Sequence, residues 1–78
     1  MSTEVQLDAR RLLCPLPVIR TQDAIVQLNT GDIIIVTSTD PGAKMDIPAW
    51  SRINGHEIIE IKEQDHEIII SIKVVKEK

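Results

Sequence analysis

The sequence predicts an α+β fold, a two-layer α/β sandwich in which two helices cover one face of a four-stranded mixed sheet. Three observations lead to this prediction. Short segments near both ends of the chain alternate between apolar and polar residues, as half-buried strands do. Two internal segments instead repeat apolar residues every three or four positions, as amphipathic helices do. Glycine and proline separate these segments, so the elements follow in the order β-α-β-α-β-β.

The first strand and the first helix are predicted in the N-terminal third. Val5 and Leu7 alternate with polar neighbours, which indicates a short strand. Pro15 then opens a helix, because a proline at the first helical position has no intrahelical hydrogen bond to lose. Residues 29–31 end the helix, and Gly31 suits a left-handed cap. The predicted buried face of this helix consists of Val18, Thr21, Ile25 and Leu28.

The second strand and the second helix follow. Residues 32–38 are apolar on both faces, as expected for a central strand. After a turn at 40–42, Pro48 limits where the helix can start, since an interior proline removes a hydrogen bond. Gly55 ends the helix. The residues expected to share one face of it are Ala43, Ile47, Trp50 and Asn54.

Two further strands are predicted over 57–63 and 67–75, joined by a tight turn at 64–65. Four aliphatic residues of the last strand should point to one side of the sheet: Ile68, Ile70, Ile72 and Val74. With both helices on one face, some aliphatic surface should remain on the other, at 33–36, Ile69 and Val75. We therefore expect a monomer or a weak dimer.

Composition narrows the class of protein. The 78 residues predict one domain, 1–78, whose 42% hydrophobic content is almost entirely aliphatic. The net charge of −3 and the single aromatic residue argue against direct nucleic-acid binding, which needs a basic surface. The first residues do not resemble a signal peptide and the apolar runs are too short to span a membrane. We expect a cytoplasmic protein without a membrane partner.

Cys14 is the only cysteine, so it cannot form a disulfide within the chain. A lone cysteine is often a small buried hydrophobic residue. Cys14, however, comes directly before the predicted first helix, where the helix dipole favours an anion. Helix N-termini lower the pKa of thiols. We therefore expect the pKa of Cys14 to lie below the free value of about 8.5.

The neighbours of Cys14 bear on its chemistry. Pro15 and Pro17 fall in the first helical turn, where no amide has an intrahelical partner, so they fix the backbone without losing a hydrogen bond. Leu16 is then the main local amide donor to the sulfur, followed by Val18. Three nearby arginines either add positive potential at the thiol or form a solvated basic patch. They are Arg10, Arg11 and Arg20, and we expect them, together with Asp40, to bind partner proteins around Cys14.

Five segments together resemble the TusA/SirA-like family of sulfur carriers. They are Leu-Asp-Ala at 7–9, Cys-Pro-Leu-Pro-Val at 14–18, Gly-Asp at 31–32, Thr-Asp-Pro-Gly at 39–42 and Asp-Ile-Pro-Ala-Trp at 46–50. The resemblance covers the whole chain and implies the same β-α-β-α-β-β fold. Two positions differ from many members: Arg11 stands where glycine is common, and Met45 stands where the tRNA-thiolating members carry arginine.

The resemblance also implies a function. Cys14 would carry sulfane sulfur as a persulfide, received from a cysteine desulfurase or a rhodanese-type donor and passed to an acceptor protein. Thiolation of tRNA, cofactor biosynthesis and sulfur metabolism are destinations within the family. Asp40 matches an acidic position near the cysteine that contributes to partner contacts, and no cofactor is implied.

Other chemistries fit the sequence less well. A thiol-disulfide oxidoreductase lacks a resolving cysteine. A metal site is disfavoured because Cys14, His56 and His66 are widely spaced and too few. A hydrolytic carboxylate cluster would use the aspartates at 8, 40 and 46, two of which occupy typical turn and cap positions. A non-catalytic regulatory or adaptor domain that binds a protein partner stays open, because small two-layer folds host many functions.

Overall fold

The computed structural model describes residues 3–13 and 16–76, and its elements follow the predicted order. The four strands form one sheet in the order β1-β2-β4-β3. β1 runs parallel to β2, whereas β4 is antiparallel to both of its neighbours. The predicted mixed sheet and α+β sandwich are therefore confirmed. The elements are β1 Glu4–Ala9, α1 Leu16–Val26, β2 Ile33–Ser38, α2 Ala43–Ile53, β3 Glu57–Gln64 and β4 Glu67–Lys73.

The core lies between the helices and the two central strands. Alternate residues of β2 and β4 are inaccessible to solvent, among them Ile34 and Ile70. All four aliphatic residues predicted to share one side of the last strand are buried, which confirms that period-two pattern. From α2, Ile47 is fully buried in the same cluster, and Ile25 joins it from α1. Neither helix in the described ranges is long and apolar enough to cross a membrane.

Strand direction brings three connections to one edge of the sheet. Since β1 and β2 are parallel and in register from Glu4 opposite Ile33 to Ala9 opposite Ser38, both strands end side by side. Ser38 is also opposite Ile68 at the start of β4. The segments 10–13, 39–42 and 64–67 therefore leave the sheet together. We call these three segments the loop edge.

Pro48 is the largest departure from the sequence-based prediction. α2 begins at Ala43 and continues through Pro48, which was expected to limit its start. The proline deprives the Lys44 carbonyl of its usual intrahelical donor. Pro48 and its neighbour Ile47 are both buried, so packing of this helix face outweighs the lost hydrogen bond. Asn54, predicted on that face, instead lies exposed at the C-cap and donates to the Trp50 carbonyl.

Element ends differ from the predictions by one or two residues. β2 begins at Ile33 rather than 32, β3 ends at Gln64 rather than 63, and β4 ends at Lys73 rather than 75.

The turn that joins β3 and β4 consists of Asp65 and His66, whose φ angles are 50° and 65°. Two consecutive positive φ values are typical of the type I′ turn, whose twist matches that of the hairpin strands.

The open face of the sheet exposes less aliphatic surface than expected. Ile33, Ile35 and Ile69 lie there but are each partly buried, and the residues paired with them on β1 and β3 are Glu4, Gln6 and Lys62. Val75 instead lines a cleft together with Trp50 of α2, on the helical side. A weak dimer through the open face stays a prediction, with a smaller apolar surface to support it.

Candidate site at the loop edge

Cys14 and Pro15 lie outside the described residues, and the residues on either side of them are accessible. Leu13 is 73% exposed and Leu16, the first residue of α1, is 44% exposed. Large exposed leucines that flank a predicted reactive residue provide apolar contact area for another molecule.

The amide of Leu16 is not available in the way that the sequence predicted. Its N–H donates to the Leu13 carbonyl at 2.9 Å, and a donation from this amide to the Cys14 thiol stays a prediction. Pro17 is buried in the first turn of α1, and its carbonyl accepts a hydrogen bond from the Thr21 hydroxyl at 2.8 Å. Val18, the next amide along the helix, is partly buried. Two hydrogen bonds therefore hold the first turn of α1, one from the Leu16 amide and one from the Thr21 hydroxyl.

Arg10 is committed to contacts within the loop edge. Its guanidinium donates to both carboxylate oxygens of Asp8, at 2.9 and 3.0 Å, and to Glu67 at 3.4 Å. The Asp8 carboxylate also accepts the Arg10 backbone N–H at 3.1 Å. These bonds lower the pKa of Asp8 to about 2 and raise that of Arg10. Arg10 therefore ties the end of β1 to the start of β4, and its role in binding a partner stays a prediction.

Arg11 adopts a backbone conformation that side chains rarely take. Its φ is 68°, in the left-handed region that glycine favours. Leu12 N–H donates to the Ala9 carbonyl at 3.4 Å, so Arg11 is the third residue of a four-residue turn, where a type II turn requires positive φ. Its own N–H donates to the Thr39 hydroxyl at 2.9 Å. The backbone thus takes a glycine-like path at Arg11.

Asp40 shapes the start of α2. Its side-chain Oδ1 accepts the Gly42 N–H at 3.0 Å, and its carbonyl accepts the Ala43 N–H at 3.0 Å. Its own N–H donates to the Ser38 hydroxyl at 3.1 Å. An aspartate that bonds the amide two residues ahead is the usual side-chain device for starting a turn. Asp40 therefore lies at the loop edge with its carboxylate engaged in the turn, and its part in partner contacts stays a prediction.

Two grooves border the Arg11–Thr39 contact. One, of about 510 Å³, lies between the start of α2 and the β3–β4 turn, where Lys44 pairs with Glu63 at 2.6 Å. The other, of about 400 Å³, is lined by Asp8, Arg10, Arg11, Thr39 and Glu67. Arg20 is exposed on α1 and lines neither groove. The loop edge therefore unites Arg10, Arg11 and Asp40, while Arg20 stands apart on the helix.

Three residues at or next to this edge were missed from the sequence: Thr39, Glu67 and, at the end of β3, Glu63. Each contacts a basic residue or its backbone from a different segment. A signal existed for Thr39, because residues that directly follow neighbouring parallel strands meet at one edge of the sheet. No comparable signal existed for the two glutamates, whose contacts depend on the length and direction of the β3–β4 hairpin.

The two histidines lie in different parts of the fold and do not form a metal site together. His66 is exposed in the β3–β4 turn, whereas His56 is buried beside Trp50, with ring centroids 5.7 Å apart. Burial and the nearby Lys76 cation lower the pKa of His56, whose Nδ1 accepts the Val75 N–H at 3.0 Å. Within residues 3–13 and 16–76, no cluster of His, Asp or Glu is arranged to hold a metal ion.

Comparison with known proteins agrees with this architecture. The family model for "Sulfurtransferase TusA" matches residues 5–74. The chain belongs to this family. "Putative sulfur carrier protein YrkI" of Bacillus subtilis is 45% identical over 60 residues, which cover 77% of this chain and 80% of that protein. "Sulfur carrier protein TusA" of Allochromatium vinosum is 35% identical over 68 residues, 87% of this chain and 90% of that protein.

A solved structure supports the fold independently. The SirA-like protein from Desulfitobacterium hafniense superposes with a TM-score of 0.82 over 92% of this chain and 99% of that chain. At 23% sequence identity, this likeness speaks for the fold alone. Membership of the TusA family, carried by the sequence match, assigns the chain to sulfur transfer in general.

Proposed function

We propose that this protein is a sulfur carrier that holds sulfane sulfur as a persulfide on Cys14 and relays it to a partner protein. The observation that carries the proposal is the TusA family match over residues 5–74 in a chain with a single cysteine. Persulfide formation needs a thiol, and Cys14 is the only one. No cofactor is required for this chemistry.

The transfer is an exchange between a thiolate and a persulfide. The Cys14 thiolate attacks the terminal sulfur of a donor persulfide, such as one on a cysteine desulfurase or a rhodanese. The new bond joins Cys14 Sγ to that sulfur, the donor's S–S bond breaks, and the donor cysteine leaves as a thiolate. An acceptor thiolate then repeats the exchange on Cys14. Both steps conserve electrons, so no external oxidant is needed.

The exposed residues near position 14 suit transient protein contacts. Leu13 and Leu16 supply apolar area on the two sides, and Arg11 and Arg20 carry guanidinium groups that make no ion pair in the described part of the chain. Such charges steer encounters with an oppositely charged partner surface. Arg10 and Asp40 belong to the same proposed partner-binding surface, and their side chains also bond to neighbouring residues of the loops.

The direct test uses intact-mass spectrometry. The protein is incubated with a cysteine desulfurase and cysteine, or with a rhodanese and thiosulfate. We expect the mass to rise by one sulfur atom and to return on addition of dithiothreitol. The Cys14→Ser variant should keep its melting temperature and gain no sulfur. A wild-type chain that gains no sulfur from either donor, while remaining folded, would contradict the proposal.

The adaptor hypothesis predicts a different pattern. A regulatory domain that only binds a partner would gain no sulfur and would bind equally well as the Cys14→Ser variant. A carrier instead passes labelled sulfur from Cys14 to an acceptor thiol. Single-turnover transfer from the preloaded protein to a small thiol acceptor distinguishes the two classes of protein.

A further inference from the structure

We infer that Thr39 is a positioning residue for the segment that carries Cys14. Its hydroxyl accepts the Arg11 N–H at 2.9 Å, a contact that joins the loop after β1 to the loop after β2. This inference rests on the proposed function, because it concerns how the loop presents the sulfur. Thr39 acts through the backbone of Arg11, whose N–H it accepts.

Arg11 needs such a contact because its conformation is intrinsically unfavourable. A φ of 68° brings the Cβ of any residue with a side chain too close to its own backbone. The guanidinium of Arg11 forms no ion pair in the described ranges that would hold it there. The neighbouring Leu12 to Ala9 bond is long at 3.4 Å. A single good hydrogen bond is comparable in strength to the left-handed penalty, so Thr39 can decide which conformation dominates.

Thr39 is well placed to act as an anchor. It directly follows Ser38, which is fully buried at the end of β2, and precedes Asp40, whose side chain starts the turn into α2. Its position is therefore set by the central strand rather than by the loop that it holds. On the other side, Leu13 is tied to α1 because its carbonyl accepts the Leu16 N–H. A change at Arg11 is thus transmitted along 12–13, the residues that lead directly to Cys14.

A competing view is that the Thr39 hydroxyl is an ordinary exposed group whose bond water could replace. The two views predict different results for three variants. Thr39→Val keeps the shape and removes the acceptor. Thr39→Ser keeps the acceptor. Thr37→Val makes the same change two residues earlier on β2, where no hydrogen bond to the 10–13 loop exists.

The first measurement is the single-turnover rate at which each variant accepts sulfur from a cysteine desulfurase. We expect about a fivefold loss for Thr39→Val, the factor that corresponds to one ordinary hydrogen bond. Thr39→Ser should restore the rate and Thr37→Val should leave it unchanged. Hydrogen exchange at the Arg11 amide should accelerate in Thr39→Val only. Equal rates for all variants, or a loss that Thr39→Ser does not restore, would overturn the inference.

The second measurement asks whether Thr39 acts through Arg11. Glycine adopts positive φ without penalty, so Arg11→Gly should make the Thr39 contact less necessary. The loss caused by Thr39→Val should therefore shrink in the Arg11→Gly background, whereas an equal loss in both backgrounds would refute the mechanism. If the wild type accepts no sulfur, the proposed function fails, and the Arg11 amide exchange still decides whether Thr39 holds the loop.

Discussion

The β3–β4 turn provides a sharp stability prediction, because both of its central residues carry side chains at positive φ. Aspartate tolerates positive φ better than most residues, because its short carboxylate can hydrogen-bond to the nearby backbone. His66, at a φ of 65°, lacks such a short carboxylate. The left-handed penalty is about 1–2 kcal/mol for a residue with a Cβ, and glycine loses about 0.5–1 kcal/mol more chain entropy on folding. His66→Gly should therefore raise the free energy of unfolding by about 0.5–1 kcal/mol.

The assay is urea unfolding followed by circular dichroism, with thermal melts as a second measurement. For a domain of this size, 1 kcal/mol corresponds to about 4–8 °C in melting temperature. The matched control is His66→Ala, which removes the imidazole but keeps the Cβ at the same φ. If His66→Gly is no more stable than His66→Ala, left-handed strain at His66 does not limit stability and the reasoning is wrong.

Three further outcomes are expected. Ser51→Ala should stabilise the fold by about 1 kcal/mol in urea melts, because the buried Ser51 hydroxyl has no hydrogen-bond partner, and a loss of stability would reveal an unseen partner. The pKa of His56 lies below its unfolded value, so stability should fall as pH drops below about 6.5, and His56→Asn should flatten that decline in a pH series of melts. Arg11→Glu should slow sulfur uptake at low salt more than Arg52→Glu, an equal charge change at the far end of α2, and equal effects would argue against local steering.

Most of the fold could be predicted from the sequence because its signals are periodic. The alternation in β4 and the three-to-four spacing in α1 each place a continuous set of residues in one core, and both were confirmed. Pro48 shows where local rules fail. A proline is expected near a helix start, yet the buried face of α2 is continuous on both sides of it, and packing decides. The hydrogen bond lost at Pro48 is outweighed by packing against residues from several elements. The energy of that packing cannot be estimated from the sequence of one segment.

The site was predictable in outline but not in its contacts. The sequence predicted one partner-binding set, Arg10, Arg11, Arg20 and Asp40. The structure places all of these except Arg20 at the loop edge. Whether each of these side chains forms a hydrogen bond within the protein depends on residues distant in sequence. Arg10, for example, donates to Glu67, which is 57 positions away. A sequence shows that charges are close only when they share an element. Long-range pairs require the register of the sheet, which depends on the buried faces of several strands and on the turns between them.

Backbone strain is distributed unevenly between the two edges of the sheet. In residues 3–13 and 16–76, the three positive-φ residues with side chains, Arg11, Asp65 and His66, all lie at the loop edge, whereas Gly31 and Gly55 serve the opposite edge. Glycine would adopt the positive φ angle at all three positions without the steric cost of a Cβ atom. Side chains at strained positions are characteristic of functional sites, where contacts to other molecules outweigh the cost in stability.

This asymmetry makes the His66→Gly variant informative beyond stability. If the loop edge binds sulfur donors or acceptors, the stabilised variant should transfer sulfur more slowly than the wild type, because it loses a side chain from the groove beside Thr39. His66→Ala should show the same loss without the gain in stability, which separates the side chain's contribution from that of the backbone. Transfer at the wild-type rate by both variants would place the donor and acceptor contacts away from this groove and restrict them to the side of the loop edge formed by Arg11 and Leu13.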